Sequence, residues 1–244
     1  MDTYNHEKEI SEAIAAGERA LHSLQEAQSK MVSTYKEIPL DTYSRREHFL
    51  YFCSLPYPYM GVTVPVDVTK VVSFCKKNGH PFYLTMLHLA AKAANTVPEF
   101  RQRILDEHII EYDSCPTSHT ELKEDGTYAY CTVYHNQASF TDYLAEAVAA
   151  RETSRKHGNI IEDEGVNSMF FVSTLPWLHY TSLIQPVGGE QHSNPRLSWG
   201  KFEQDTNGSY IMPFSVLAHH GLVDGIHLSS FFTALEKEIS GILI

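Results

Sequence analysis

The stretch HHGLVDG, His219 to Gly225, follows the apolar run Phe214–Ala218 and precedes a segment with helical spacing. Two adjacent histidines, with Asp224 four residues after the second, suit three kinds of chemistry. A histidine at a strand end can simply hydrogen-bond a backbone carbonyl. His219, His220 and Asp224 are also metal-ligand types. Adjacent strand residues point to opposite faces, however, so the two imidazoles do not easily share one ion, and no second His/Asp/Glu cluster completes a shell. The third possibility is a general base emerging into a cleft, for which histidine is suited because its pKa lies near neutrality. Gly221 and Gly225 would then allow the tight turn, with Asp224 stabilising it.

The whole chain bounds what such a base could act on. Its 244 residues allow one large domain or two small ones, and its 43% hydrophobic and 20% charged content is ordinary for a globular protein. A net charge of −11 argues against nucleic acid or an anionic membrane surface as partner. Cys53, Cys75, Cys115 and Cys131 lie far apart without C-x-x-C spacing and read as free thiols. The acidic start MDTYNHEKEI is unlike a signal peptide, and no apolar run of about 18 residues occurs. The expectation is a cytoplasmic protein.

The elements that would carry the histidines follow from periodicity. Ile10, Ile14, Leu21, Leu24 and Met31 make one apolar stripe, predicting an N-terminal helical extension over 1–38, with the main domain over 39–244. Alternation predicts a strand over 59–68, then a helix over 69–78 with Asp67 to cap it and Gly79 to stop it. A mostly buried helix precedes Pro98, and strands are expected over 101–112 and 127–135, with ELKEDG as a hairpin connection between them. A helix is expected over 140–156, with Phe140, Tyr143, Leu144, Ala147 and Val148 on one face. Strands are expected at NSMFFVSTLPW and over 179–185, 197–204 and 210–218, the last two joined at Asn207-Gly208. A closing helix from Asp224 would turn Ile226, Phe231, Leu235 and Ile239 inward. The pattern is α/β, one domain with a mixed sheet.

H-H-x-x-x-D-G after an apolar strand resembles the signature of the chloramphenicol acetyltransferase family. RREHF at Arg45–Phe49, PVDVTKV, AAKAANTVPEFRQRI, VSTLPW at Val172–Trp177 and WGKF at Trp199–Phe202 resemble further family segments in the right order. The resemblance covers about residues 43–243 and implies a two-layer sandwich, a mixed sheet covered by helices. It also implies transfer of an acetyl group from acetyl-CoA to a hydroxyl of chloramphenicol, without metal, in a homotrimer with active sites between subunits. By that resemblance His220 is the general base, Ser173 the hydroxyl that meets the oxyanion, and Asp224 the partner of Arg45. Tyr51, Phe52, Leu55 and Tyr128 fall at acceptor-pocket positions, Tyr51 and Tyr128 where some members carry phenylalanine. Trp177, Ser198, Lys201 and Phe202 fall on the coenzyme side. The alternatives are the same chemistry on another alcohol or amine, a non-catalytic binding protein that keeps the fold, and a scaffold acting through the N-terminal helix.

Overall fold

The computed structural model describes residues 33–161, 165–188 and 192–242. The chain divides between Ser33 and Thr34 into two compact units, and the described strands and helices all belong to the unit from Thr34 onward. The apolar stripe from Ile10 to Met31 lies outside the described residues.

A seven-stranded sheet organises the molecule. Its order is β2 (Tyr59–Asp67), β10 (Tyr210–His219), β8 (Arg196–Gly200), β7 (Phe170–Leu175), β5 (Thr117–Leu122), β6 (Tyr128–Val133), with the short β9 (Glu203–Gln204) added beside β10. β5–β7 and β7–β8 are parallel, and the other pairs are antiparallel. β10 is an interior strand, paired with β2 on one side and with β8 and β9 on the other, and Met212–Val216 are all buried, as expected for a strand covered on both faces. A smaller sheet pairs β1 (Tyr35–Ile38), β4 (His108–Tyr112) and β3 (Gln102–Leu105). Residues 35–38, assigned to the extension by the sequence reading, are therefore a strand of the main body.

Helices α2 (Thr69–Asn78), α3 (Phe82–Asn95), α4 (Phe140–His157) and α5 (Gly225–Ser240) form the second layer, giving the expected two-layer α/β arrangement. Asp67 accepts the Thr69 N–H at 2.9 Å, and Gly79 ends α2 at φ 70°, a left-handed conformation that favours glycine. The core joins the layers through aromatic contacts: Phe231 of α5 stacks on Phe100 at 5.3 Å and meets Phe214 of β10 at 5.6 Å. Each such fully buried ring contributes about 1.5–3 kcal/mol.

Several elements differ from the sequence expectation, each for a physical reason. The strand expected over 101–112 is a helical turn, Pro98–Arg101, followed by the β3–β4 hairpin, whose connection takes left-handed backbone at Asp106 and Glu107. β5 was missed because TSHTEL is polar, and its inward residues include His119 and Glu121, so apolar alternation gives no signal. ELKEDG therefore leads out of β5 into β6 and does not follow the 101–112 segment. The strand expected over 179–185 is absent, since those residues cross the structure without ladder pairing in this chain. The run over 197–204 is broken at Lys201–Phe202 into β8 and β9. Val148 and Ile226 face outward, the latter 71% exposed at the first turn of α5. All four cysteines are free.

Two buried charged groups tie loops and layers together. Arg103, 1% exposed, donates to the carbonyls of Phe100, Gln102 and Asn167 at 2.7 Å and of Met169 at 3.1 Å, fixing the turn that leads into β7. Glu121 on β5 accepts from Arg151 and Arg155 on α4 at 3.1 and 2.9 Å, with His119 Nε2 3.5 Å away. Burial alone would raise the Glu121 pKa. The His119 contact and the Arg151 charge and hydrogen bond outweigh burial and pull it down to about 2. A depressed carboxylate pKa contributes stability above its unfolded value, near 4.3, and loses it as pH falls towards the folded value. Glu121→Gln is expected to cost about 2 kcal/mol at pH 7, because two half-exposed guanidiniums then face a neutral amide. Denaturant unfolding should show that difference shrinking between about pH 4.5 and pH 2; a gap that stays constant over that range would refute the assignment.

Candidate active site

The end of β10 separates the two histidines as the strand pleat requires. His219, 1% exposed, turns inward, where its Nδ1 accepts the Gly221 N–H at 3.1 Å and its ring meets Tyr59 edge-on. His220 turns outward and stacks on Phe52 of α1 (Arg46–Cys53), with ring centroids 3.7 Å apart and 16° between planes. Its Nδ1 lies 3.0 Å from the Val223 carbonyl oxygen. A carbonyl can only accept, so this contact puts the proton on Nδ1 and leaves Nε2 as the basic nitrogen. Nothing in the sequence marked Val223, because its contribution is a backbone carbonyl.

The turn is held by one cation. Arg45, immediately before α1, donates from Nη2 to Asp224 Oδ2 at 2.8 Å and to the His220 carbonyl at 3.3 Å. Its Nη1 reaches the carbonyls of Gly221 at 3.2 Å and of Leu222. Burial opposes ionisation of Asp224, but the hydrogen bond and charge of Arg45 prevail and hold its carboxyl below the usual range. Asp224 also begins α5, its N–H donating to His227 Nδ1 at 2.9 Å, and its Oδ1 lies 3.7 Å from His220 Nδ1. Gly221 is closely packed: a Cβ there would stand 3.0 Å from the His219 ring and 3.2 Å from Cys53 Sγ, so those side chains would have to shift by a few tenths of an ångström. Gly225 has open space around it, so of the two glycines expected to allow the turn only Gly221 is crowded.

A second group gathers on the helix-free face of the sheet. Ser173 is exposed on β7 and lines a cavity of about 750 Å³ with Tyr128, Trp177, Gln185 and Arg196. Trp177, 65% exposed, stands at its mouth. Ser198 is fully buried beneath this face, its Oγ accepting from Gln185 Nε2 at 2.7 Å. Lys201 is exposed and paired with Glu203 at 3.1 Å, while Phe202 packs between Phe82 and Tyr210, away from this cavity. Tyr51 is exposed on α1 beside Phe52, at a centroid distance of 5.1 Å, and Leu55 follows α1 half-buried. Gln185 and Arg196 were not singled out by sequence. The one available signal was an arginine inside the otherwise apolar strand PRLSWG.

Within one chain the two groups are apart. Ser173 lies opposite Ser198, and Ser198 opposite Ser215, with His220 five residues beyond Ser215. Two strand spacings and five residues of rise put Ser173 and His220 roughly 19 Å apart. Phe52 and Tyr51 belong with His220, whereas Tyr128 and Trp177 belong with Ser173.

The Arg45 fork makes a direct prediction. Arg45→Lys replaces a planar guanidinium that reaches four acceptors with a single ammonium, and is expected to destabilise the protein by about 2 kcal/mol. Thermal unfolding measures it, and a variant as stable as the parent would show that the turn holds itself.

A family model described as chloramphenicol acetyltransferase matches residues 33–236. A chloramphenicol acetyltransferase from Klebsiella sp is 27% identical over 213 residues, covering 85% of this chain and 95% of its own length. One from Bacillus pumilus is 28% identical over 205 residues, covering 83% and 92%. A solved chloramphenicol acetyltransferase superposes with a TM-score of 0.78 at 28% identity, over 84% of this chain and all of its own. A probable dihydrolipoamide acetyltransferase from Listeria monocytogenes, at TM-score 0.60 and 15% identity over 84% of this chain and 94% of its own, shares the fold. With the family match spanning most of the sequence and the paired strands, α1 and the HHGLVDG turn all inside it, the chain belongs to the chloramphenicol acetyltransferase family of acyltransferases.

Proposed function

We propose that the protein transfers the acetyl group of acetyl-CoA to a hydroxyl of chloramphenicol, inactivating the antibiotic, with His220 as general base. The observation that carries this reading is the fixed imidazole: Nδ1 held by the Val223 carbonyl, ring held by Phe52, Nε2 left basic. In a ternary complex Nε2 takes the acceptor hydroxyl proton as that oxygen bonds to the thioester carbon. The tetrahedral oxyanion receives a hydrogen bond from the Ser173 hydroxyl. Collapse breaks the carbon–sulfur bond, and the imidazolium returns its proton to the departing CoA thiolate. Asp224, 3.7 Å from His220 Nδ1 and pinned by Arg45, holds the turn that carries the base. No covalent acyl-enzyme is needed.

The base and the oxyanion donor must both reach one reacting centre, which a separation of roughly 19 Å forbids within a chain. We therefore assign the active site to the junction of neighbouring chains in a homotrimer, His220 from one and Ser173 from the next. The exposed, unpaired segment 179–185, with Ile184 89% exposed, supports burial against such a neighbour. Tyr51, Phe52, Leu55 and Tyr128 would border the acceptor. Trp177, Lys201, Phe202 and the Ser198 region would lie on the acetyl-CoA side, with a cytoplasmic location.

His220→Ala should lower chloramphenicol-dependent thiol release from acetyl-CoA by about 10²–10⁴-fold. Ser173→Ala should lower it by about 10²–10³-fold with the protein still folded. No release from the parent protein would sink chloramphenicol as acceptor, and undiminished release from His220→Ala would sink the base. The assembly has its own test: co-expression of the two variants in equal amounts should restore about a quarter of parental activity, since about one junction in four then combines an intact His220 with an intact Ser173. Activity no higher than that of either variant alone would place both groups in the same chain.

A further inference from the structure

His220 and the start of α5 share one peptide group. The Val223 carbonyl faces His220 Nδ1 at 3.0 Å, and the N–H of the same peptide, on Asp224, donates to His227 Nδ1 at 2.9 Å. A trans peptide is planar, with its C=O and N–H pointing in opposite directions. Two imidazoles therefore grip one rigid plate from opposite edges, His220 from the turn and His227 from the first turn of α5. A backbone N–H can only donate, so His227 Nδ1 carries no proton and Nε2 carries it. Nε2 lies 3.6 Å from Oε1 of Glu99, in the helical turn Pro98–Arg101, and that carboxylate favours a proton there. Burial lowers the His227 pKa; Glu99 pulls it up, Arg45 down and Asp224 up, and the net shift is downward. The neutral ring, the form able to accept the Asp224 N–H, thus persists below the ordinary histidine range.

We propose that His227 is a positioning residue for the base: by accepting the Asp224 N–H it fixes the plane of the Val223–Asp224 peptide, and with it the carbonyl that keeps the His220 proton on Nδ1. This rests on the reading of His220 as the general base. Without an acceptor for the Asp224 N–H, the plate can rotate about the soft dihedrals on either side of it, and the Val223 oxygen turns away from His220. The imidazole can then carry its proton on Nε2, a tautomer in which that nitrogen cannot take the proton of an acceptor hydroxyl. Arg45 acts elsewhere on the turn, on the carbonyls of His220, Gly221 and Leu222 and on the Asp224 carboxylate. The two bonds on the plate also reinforce each other, because a peptide whose carbonyl accepts becomes a stronger donor at its N–H.

The test reads the ring protons directly, by long-range proton–nitrogen NMR of the full chain labelled in its histidines, alongside thiol release from acetyl-CoA. In alkaline solution the parent is expected to show His220 with its proton on Nδ1 and His227 with its proton on Nε2. His227→Leu should move the His220 proton towards Nε2 and lower kcat by about 10- to 100-fold, the range for partners that orient a ligand histidine from behind. The KM for acetyl-CoA should stay unchanged. His227→Gln should restore both readouts, since a glutamine at the third position of a helix can accept the same N–H. A role confined to capping α5 would lower the melting temperature of His227→Leu and move neither the His220 tautomer nor kcat. Parental tautomer and kcat in folded His227→Leu, or loss of both in folded His227→Gln, overturns the proposal. If His227→Leu does not fold, the parent spectrum decides, and a His227 proton found on Nδ1 overturns it. A tautomer shift in His227→Leu with no thiol release from the parent keeps the positioning of His220 and removes acetyl transfer. Thiol release that His227→Leu leaves undiminished does the reverse.

Discussion

One guanidinium holds the turn after β10 in shape. Arg45 gathers the carbonyls of His220, Gly221 and Leu222 and the carboxylate of Asp224 into a single fork. Without it, three backbone acceptors and a carboxylate would crowd a turn of five residues with no shared donor. With it, the turn closes tightly enough for the Val223 carbonyl to meet His220 Nδ1, and α5 starts where Asp224 and His227 can cap it. The rotamer and tautomer of His220 are thus consequences of a residue some 175 positions earlier in the chain. A lysine has the charge for this task but not the planar array of donors.

The second constraint is the strand that leads into His220. β10 is buried on both faces, so its register against β2 and β8 is set firmly by the apolar residues it carries. That register also lines up Thr63, Ser215, Ser198 and Ser173 across four neighbouring strands. The row is polar on the helix-free face, where Thr63 and Ser215 bond at 2.8 Å and Gln185 bonds Ser198. It runs from β2, across the strand that leads into His220, to the strand that presents Ser173. The same sheet therefore fixes both groups and keeps them apart within one chain.

Buried charge recurs away from the proposed chemistry. Arg103 and the Glu121–Arg151–Arg155 group tie a loop and a helix to the sheet, each saturated by several partners. Such contacts add little net stability compared with apolar packing, yet removing one partner is costly. They act as fasteners that select one arrangement of β5, β7 and the turn before β7, the strands and turn that wall the cavity.

The sequence by itself determined the elements whose period or punctuation is local. α2, with Asp67 before it and Gly79 after it, and the Asn207-Gly208 hairpin are set by neighbours in the chain, as is the outward turn of His220 next to an inward His219. The ordered segments RREHF, VSTLPW and HHGLVDG carried the family and with it the two-layer fold. Only the tertiary structure decided the rest. β5 is polar inward because Arg151 and Arg155 arrive from a helix about thirty residues later, and Ile226 faces outward at the first turn of α5 although its spacing matched the buried residues of that helix. Segment 179–185 has the composition of a strand but finds no ladder in its own chain. Gln185 and Arg196 become cavity walls only when a loop folds over β8. Pattern reports what a residue's neighbours in the chain demand; partners brought in from elsewhere in the fold satisfy polar groups that no local period can announce.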